Sequence, residues 1–424
     1  MLLKKAICFT MALTMLSVSA YARPSDNYVF TSQSSGGETK TISASPSNYG
    51  KIVTSYLYVN DKNTFTVVDA SKDTINVDTY DSESYELKDS KKINMELPLF
   101  GGFYCGEKYN FIVFGQSNPT ESDRVITFKT VKYSKDWKKL GAADYKGNNT
   151  LQPFEAGSLR MVEHDGYLYV RTAHKMYKSS DGYNHQSNLT FSVDVERMDM
   201  ADEYSEIMNA NYGYVSHSFD QFVTIDNDKL IALDLGDAYP RSVVLIKYND
   251  SLTDGKFTAS NGYCSAIDML EIPGKTGDND TGVTLGGLEA SKNNYIVAIS
   301  SIDQKNKSKE RDVVLLITGK SDSSPVKQIQ ITDYTKNQNG LSASKPYLVK
   351  LPDGNYELLW EEFSEGSSNG VCYVKIDENG KMLTDIAVLD DAKLSSDCQP
   401  ICMNNQIVWY INAGTERTFY KLDI

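Results

Sequence analysis

One short pattern recurs along this chain and limits what it can fold into. The segments MVEHDGYLYVRTA (161–173), FVTIDNDKLIALDL (222–235), EASKNNYIVAISSI (289–302), YLVKLPDGNYELLWEEF (347–363) and ICMNNQIVWYINA (401–413) share one layout. Each reads as a strand, a turn of Asp, Asn or Gly, and a return strand in which apolar residues alternate. The alternation has a period of two residues, which belongs to strands and not to helices. Asp165-Gly166, Asp353-Gly354 and Asn404-Asn405 are the residue pairs that tight hairpin turns favour, because such turns need positive φ angles. The hairpins recur at intervals of roughly 50–65 residues. No stretch of a dozen residues reads as an amphipathic helix; the nearest, 198–209 (MDMADEYSEIMN), suits one or two turns between sheets.

Around these hairpins the chain divides into units at 48–95, 100–146, 150–208, 212–269, 282–334, 341–390 and from 395 to the end. A four-stranded unit of this size has two apolar faces and cannot bury both alone. Packing each sheet against the next buries them, and closing the series into a ring removes the exposed ends. The expected fold is therefore all-β: a β-propeller of seven blades, each of about four antiparallel strands, although the spacing also admits six or eight. Tyrosine supports this reading, at 28 residues against 3 tryptophans, since it favours strands. The last unit has room for about three strands. A strand near the N-terminus is expected to complete it, and the 39–42 region (TKTI) is assigned that role, with Tyr28-Val29-Phe30 a second short strand. Two unrelated β-sandwiches are the competing architecture, but they would not repeat one hairpin five times.

The first 22 residues read as a secretory signal: Lys4 and Lys5, an apolar run over 6–18, and the small-x-small site Ala20-Tyr21-Ala22. The run is short for a bilayer span, and an uncleaved anchor is the alternative. The expected organisation is a signal peptide at 1–22 and one propeller domain at 23–424. The mature protein is expected outside the cell, with no membrane span. The chain carries a net charge of −13, and cleavage makes it more acidic. An acidic surface repels phosphate backbones, which argues against nucleic acid as a partner. Of six cysteines, Cys8 lies in the leader; Cys105, Cys264, Cys372, Cys398 and Cys402 remain. An odd, sparse set does not frame a fold. Cys398 with Cys402, or Cys372 with either, could pair, and at least one thiol stays free.

On these repeats the chain resembles the seven-bladed β-propellers of secreted bacterial proteins. The likeness covers nearly the whole mature chain but rests on the hairpins. The sequence has no Gly-His/Trp-Asp pairing, no kelch double glycine and no repeated Asp-box, so the resemblance implies a fold and a location, and no activity.

In such a ring the innermost strands line a central channel. Aligning their starts puts Tyr104, Arg160, Asp220 and Glu289 at one level of it. An Arg among carboxylates suits either a polar ligand or an internal ion network. The segment SHSFDQF (216–222) adds His217, a candidate base or metal ligand. His217 and Asp220 face opposite sides of a strand and do not form one direct pair. In the loop GDAYPRS (236–242), Asp237 and Arg241 could lock the turn by an ion pair, or Arg241 could take an anion. The loop 179–188 holds Asp181, Asn184, His185 and Gln186. It lacks the spacing of a twelve-residue calcium loop, so no cofactor is predicted, with a structural calcium ion the alternative. His174 with His185 would need a third ligand from elsewhere to hold a transition metal. Tyr167, Tyr169, Tyr177, Tyr183, Tyr239 and Trp360 could form a stacking surface, with strand filling the plainer reading for Tyr167 and Tyr169.

The candidate ligand-binding set is therefore Arg160, His174, His185, His217, Asp220, Asp237, Arg241 and Glu289. The function expected is an extracellular binding or interaction module with a polar site at the channel mouth, its partner a glycan, peptide or protein. The alternative is a secreted hydrolase, lyase or transferase acting on a polysaccharide, peptide or anionic small molecule through His, Asp and Arg residues of the third and fourth blades. No nucleophile elbow, phosphate loop, HExxH or CxxC motif supports a particular chemistry. A purely structural ring with a plugged channel is the third possibility.

Overall fold

Adjacent residues of one strand serve different seams of the molecule. Val67 packs toward one neighbouring sheet and Val68 toward the other. The same holds for Ile231, Ala232 and Leu233 in turn. This is the two-residue period put to use: a strand buried on both faces feeds two interfaces alternately. The computed structural model describes residues 28–45, 50–204, 220–238, 240–248, 252–257, 264–337 and 340–424. The leader at 1–22, His217 and Tyr239 lie outside these residues.

The strands form seven antiparallel sheets, the blades of a β-propeller. Blade 1 spans 55–94, blade 2 99–146, blade 3 150–204, blade 4 221–271, blade 5 283–330 and blade 6 341–389. Blade 7 takes three strands from 401–423 and a fourth, Val29–Gln33, from the N-terminus. In blades 3 and 6 the inner position is split between two short segments that pair with the same second strand. Seven separate apolar clusters fill the seven seams. Phe111, Phe128, Leu168 and Phe191 join blades 2 and 3, for instance, and Leu315, Leu358 and Trp360 join blades 5 and 6. Burying each such side chain contributes about 1.5–3 kcal/mol.

The turns follow the expected chemistry. Asp165 and Gly166 (φ 50° and 80°), Asn227 and Asp228 (48° and 57°), and Asn404 and Asn405 (50° and 58°) carry the paired positive φ values of a two-residue hairpin turn.

Ring closure differs in detail from expectation. The completing strand is Val29–Gln33, antiparallel to Glu416–Asp423, with Val29 opposite Tyr420 and Gln33 opposite Glu416. The 39–42 region makes only isolated bridges, Glu38 to Ala413 and Thr41 to Ser395. Val29–Gln33 alternates half-buried with exposed residues, as an outer strand should, whereas Ile42 is buried in the seam of blades 6 and 7. A second correction concerns 198–209: Asp199–Tyr204 is the outer strand of blade 3, and 205–209 lies outside the described residues. Among the described residues the helix is one turn, Tyr334–Asn337, and no helix is long and apolar enough to cross a membrane.

Two buried arginines pin neighbouring blades. Arg171 in blade 3 reaches Asp234 of blade 4, at 3.1 Å from Nε to Oδ1, and also meets Thr190 and Tyr248. Arg417 in blade 7 bonds Asp69 and, at 3.1 Å, Asp78, both of blade 1. Its Nη2 also donates to Ser34 Oγ at 3.0 Å, and the Ser35 amide donates to Asp78 at 2.9 Å. The N-terminal segment is therefore tied into the last seam by charge as well as by pairing. Cys105, Cys372, Cys398 and Cys402 are free thiols, so none of the suggested disulfides forms.

Candidate functional site at the channel mouth

The inner strands of blades 3 and 4 are joined where they begin. Buried Gln221 accepts from the Ser158 amide at 2.7 Å and from its hydroxyl at 3.0 Å, and its own amide donates back to Ser158 Oγ at 2.9 Å. This lock places Arg160, the second residue of the inner segment Leu159–His164 of blade 3, against Asp220, just before blade 4. Arg160 donates from Nε to the Gln221 carbonyl at 3.0 Å, lies 3.5 Å from Asp220 Oδ1 and stacks over the Phe222 ring. On the far side of the axis Gly286 and Gly287 let blade 5 approach blade 6. A Cβ on Gly286 would fall 2.3 Å from the Pro346 carbonyl oxygen. That approach settles Lys345, immediately before Pro346, into the channel wall.

The result is a cavity of about 230 Å³ at one mouth. Four cations line it, Lys40, Lys51, Arg160 and Lys345, with two carboxylates, Asp220 and Asp397. Lys345 is 14 % exposed and donates no hydrogen bond among the described residues; Asp220, its ion-pair partner, is 4.0 Å away. Burial pulls the Lys345 ammonium below its ordinary pKa, and Asp220 only partly opposes this. Burial likewise raises Asp397, against the pull of Lys40 and Lys345. Lys40 arrives on the N-terminal segment, whose carbonyl accepts from the Ser396 amide at 2.8 Å.

A second cavity of about 250 Å³ shares Arg160 with the first and is lined further by Phe222, Thr224, Leu288, Glu289, Leu348 and Gln399. Glu289 accepts no hydrogen bond from the described residues. Desolvation lifts its carboxyl to about 7, with Lys350 the opposing charge.

Arg160 and Asp220 thus come together, while Glu289 faces the adjoining cavity and meets them only through Arg160. Tyr104 lies between blades 2 and 3, its hydroxyl accepting from the Glu163 amide at 3.1 Å. The remaining described candidates sit away from the two cavities. His174 is buried within blade 3 with Nδ1 2.7 Å from Thr150 Oγ1. His185 is on an outer hairpin, 2.7 Å from Asp181. Asp237 is buried at a strand end, where its carbonyl accepts from the Gly277 amide at 2.9 Å. Arg241 donates to the carbonyls of Asp278 and, at 2.6 Å, Asp280, bracing the loop before blade 5. Of the stacking candidates, Trp360 is fully buried, with its indole N–H donating to the Tyr334 hydroxyl at 3.3 Å, while Tyr183 is 70 % exposed. Sequence reasoning did not single out Lys345 or Asp397. Both precede their inner strands, where strand parity says nothing about direction.

Two of the raised glutamates, Glu289 and Glu357, give a pH prediction. Burial lifts Glu289 to about 7 and Glu357, on the second strand of blade 6, to about 8, from an ordinary 4.5. The native state holds protons that the unfolded chain has lost. Their stabilisation is complete below about pH 4.5 and is lost as pH rises through 7 to 8. The shifts correspond to roughly 3 kcal/mol for Glu289 and roughly 5 kcal/mol for Glu357 across that window. Glu357→Gln is expected to flatten the fall of stability measured by urea denaturation between pH 5 and 8; an unchanged slope would count against the assignment.

The fold and its mouth define a seven-bladed propeller with a cation-rich axial cavity. No family model and no curated protein sequence matches the chain. Among solved structures, it is similar to an ulvan lyase of polysaccharide lyase family PL25, with a TM-score of 0.51 at 11% identity over 92% of this chain and 96% of that one. It is also similar to hydrazine synthase of Kuenenia stuttgartiensis, with a TM-score of 0.50 at 11% identity over 88% and 96%. At such identity the likeness is one of fold.

Proposed function

We propose that this protein is an extracellular binding module whose channel mouth takes a small ligand, or the end of a glycan or peptide, through an anionic group. The observation that carries this reading is Lys345: a largely buried ammonium facing a cavity, with no hydrogen-bond acceptor among the described residues. A buried charge is retained at a cost unless something pairs with it. A carboxylate or sulfate in the cavity would accept from Lys345 and from the Arg160 guanidinium, which presents a planar fork of donors. Lys40 and Lys51 at the rim would draw anions toward a protein that is otherwise acidic.

Calorimetric titration with acetate, propionate, sulfate and glucuronate, against glucose and propylamine, tests this. The anions are expected to bind and the neutral and cationic compounds not to. Lys345→Gln should weaken anion binding by roughly 10–100-fold, the loss of one charged hydrogen bond, without lowering Tm. Equal binding of neutral compounds, or anion affinity unmoved by Lys345→Gln, would overturn the reading.

A further inference from the structure

The two axial cavities are each small. At about 230 and 250 Å³ they fall below the 300 Å³ or so at which sites for whole small molecules begin. They share one wall residue, Arg160, whose guanidinium lies over the Phe222 ring, and Phe222 itself lines the second cavity. Their polar groups differ in kind. The mouth offers ammonium and guanidinium donors. The inner cavity offers one carboxyl, Glu289, among Phe222, Leu288 and Leu348. That carboxyl has no hydrogen-bond donor among the described residues, although it is largely enclosed.

We infer that the two cavities form one site for a ligand that carries a carboxylate and an ammonium on a single short molecule. The carboxylate sits at the mouth on Lys345 and Arg160, the ammonium reaches Glu289, and the apolar stem lies along Phe222, Leu288 and Leu348. This inference rests on the anion site proposed above and adds to it a second subsite and a ligand class. Amino acids, short peptides and amino-sugar acids share this chemistry. An ammonium supplies the donors that Glu289 lacks and favours its ionised form, so binding near neutrality should release a proton from the carboxyl. The charged groups around Glu289 are Arg160 on blade 3 and Lys350 on blade 6, with the Tyr356 hydroxyl behind it. The nearby cations disfavour an ammonium at this carboxyl, which sets the size of the expected gain at tens-fold and not thousands.

The test compares matched pairs on the purified protein by calorimetry: butyrate with γ-aminobutyrate, hexanoate with ε-aminohexanoate, and diglycine and glucosaminate as the two natural sources. At least one amino acid should bind ten-fold or more tighter than its des-amino partner. Repeating the titration at pH 6.5 in buffers of different ionisation enthalpy should show net proton release with the amine and none with the plain carboxylate. Glu289→Gln should abolish both the gain, read as the ratio of amine to des-amino affinity within the variant, and the release. If the carboxylates bind and the amines add nothing, or if the gain survives in Glu289→Gln, the two-ended site is wrong and the anion site stands. If neither series binds, both fall. A preference for diglycine over glucosaminate points to peptides, and the reverse to amino sugars.

Discussion

Replacing Arg417 with alanine is expected to cost about 3–5 kcal/mol of stability, the usual consequence of removing one partner from a buried ion cluster. Arg417 is fully buried and holds Asp69 and Asp78 of blade 1 from the third strand of blade 7. Without it Asp69 loses its cation and keeps the Tyr410 hydroxyl at 2.7 Å, while Asp78 retains the Ser35 amide and the Ser90 hydroxyl. Burial already raises Asp69, and Arg417 is the largest influence holding it down. The variant is expected to take up a proton there on folding, so its deficit should shrink as pH falls. Combining Arg417→Met with Asp69→Asn and Asp78→Asn should recover much of the loss, because the charges then leave together. Urea unfolding of the three proteins decides the matter; a loss below about 1 kcal/mol for Arg417→Ala would show that the seam relaxes around the vacancy.

Deleting residues 28–45 is the second large effect. It removes the outer strand of blade 7, the Phe30 ring stacked on Tyr85 at 4.5 Å, and buried Ile42. It also removes Lys40–Ser43 from the wall of the mouth. The strand Glu416–Asp423 would then present an unpaired edge, which invites pairing with another chain. A fall in Tm of roughly 10 °C or more is expected, with oligomers in size-exclusion chromatography and loss of anion binding. A monomer with unchanged Tm would mean that the ring holds itself closed.

Much of this architecture could be read from the chain because strand pairing and seam filling leave local marks. A strand that serves two seams must be apolar through its centre, as in the VVLLI of RDVVLLITG, and a two-residue hairpin must use Asp, Asn or Gly. The completing strand was harder to place. TKTI and YVF are both short and mixed, and the choice between them depends on how far the segment travels before it meets blade 7. The site was legible only in part. Arg160 and Asp220 come together because aligned positions of neighbouring blades face one axis. Glu289 obeys the same alignment but sits at a different depth. Lys345 and Asp397 lie in connecting segments whose direction depends on Gly286–Gly287 and Pro346, contacts between blades that no single stretch of sequence reveals. The histidines were attractive for their chemistry, but His174 and His185 belong to strands further from the axis, and chemistry alone carries no position.

The route of the N-terminal segment has a mechanical corollary. Tension applied at residue 28 would be borne first in shear by the pairing of Val29–Gln33 with the C-terminal strand, and then by the stretch that carries Lys40 past Ser396. Load and ligand therefore act on the same piece of chain. An occupied mouth resists its extraction by the free energy of binding, and a pull on the segment loosens whatever the mouth holds.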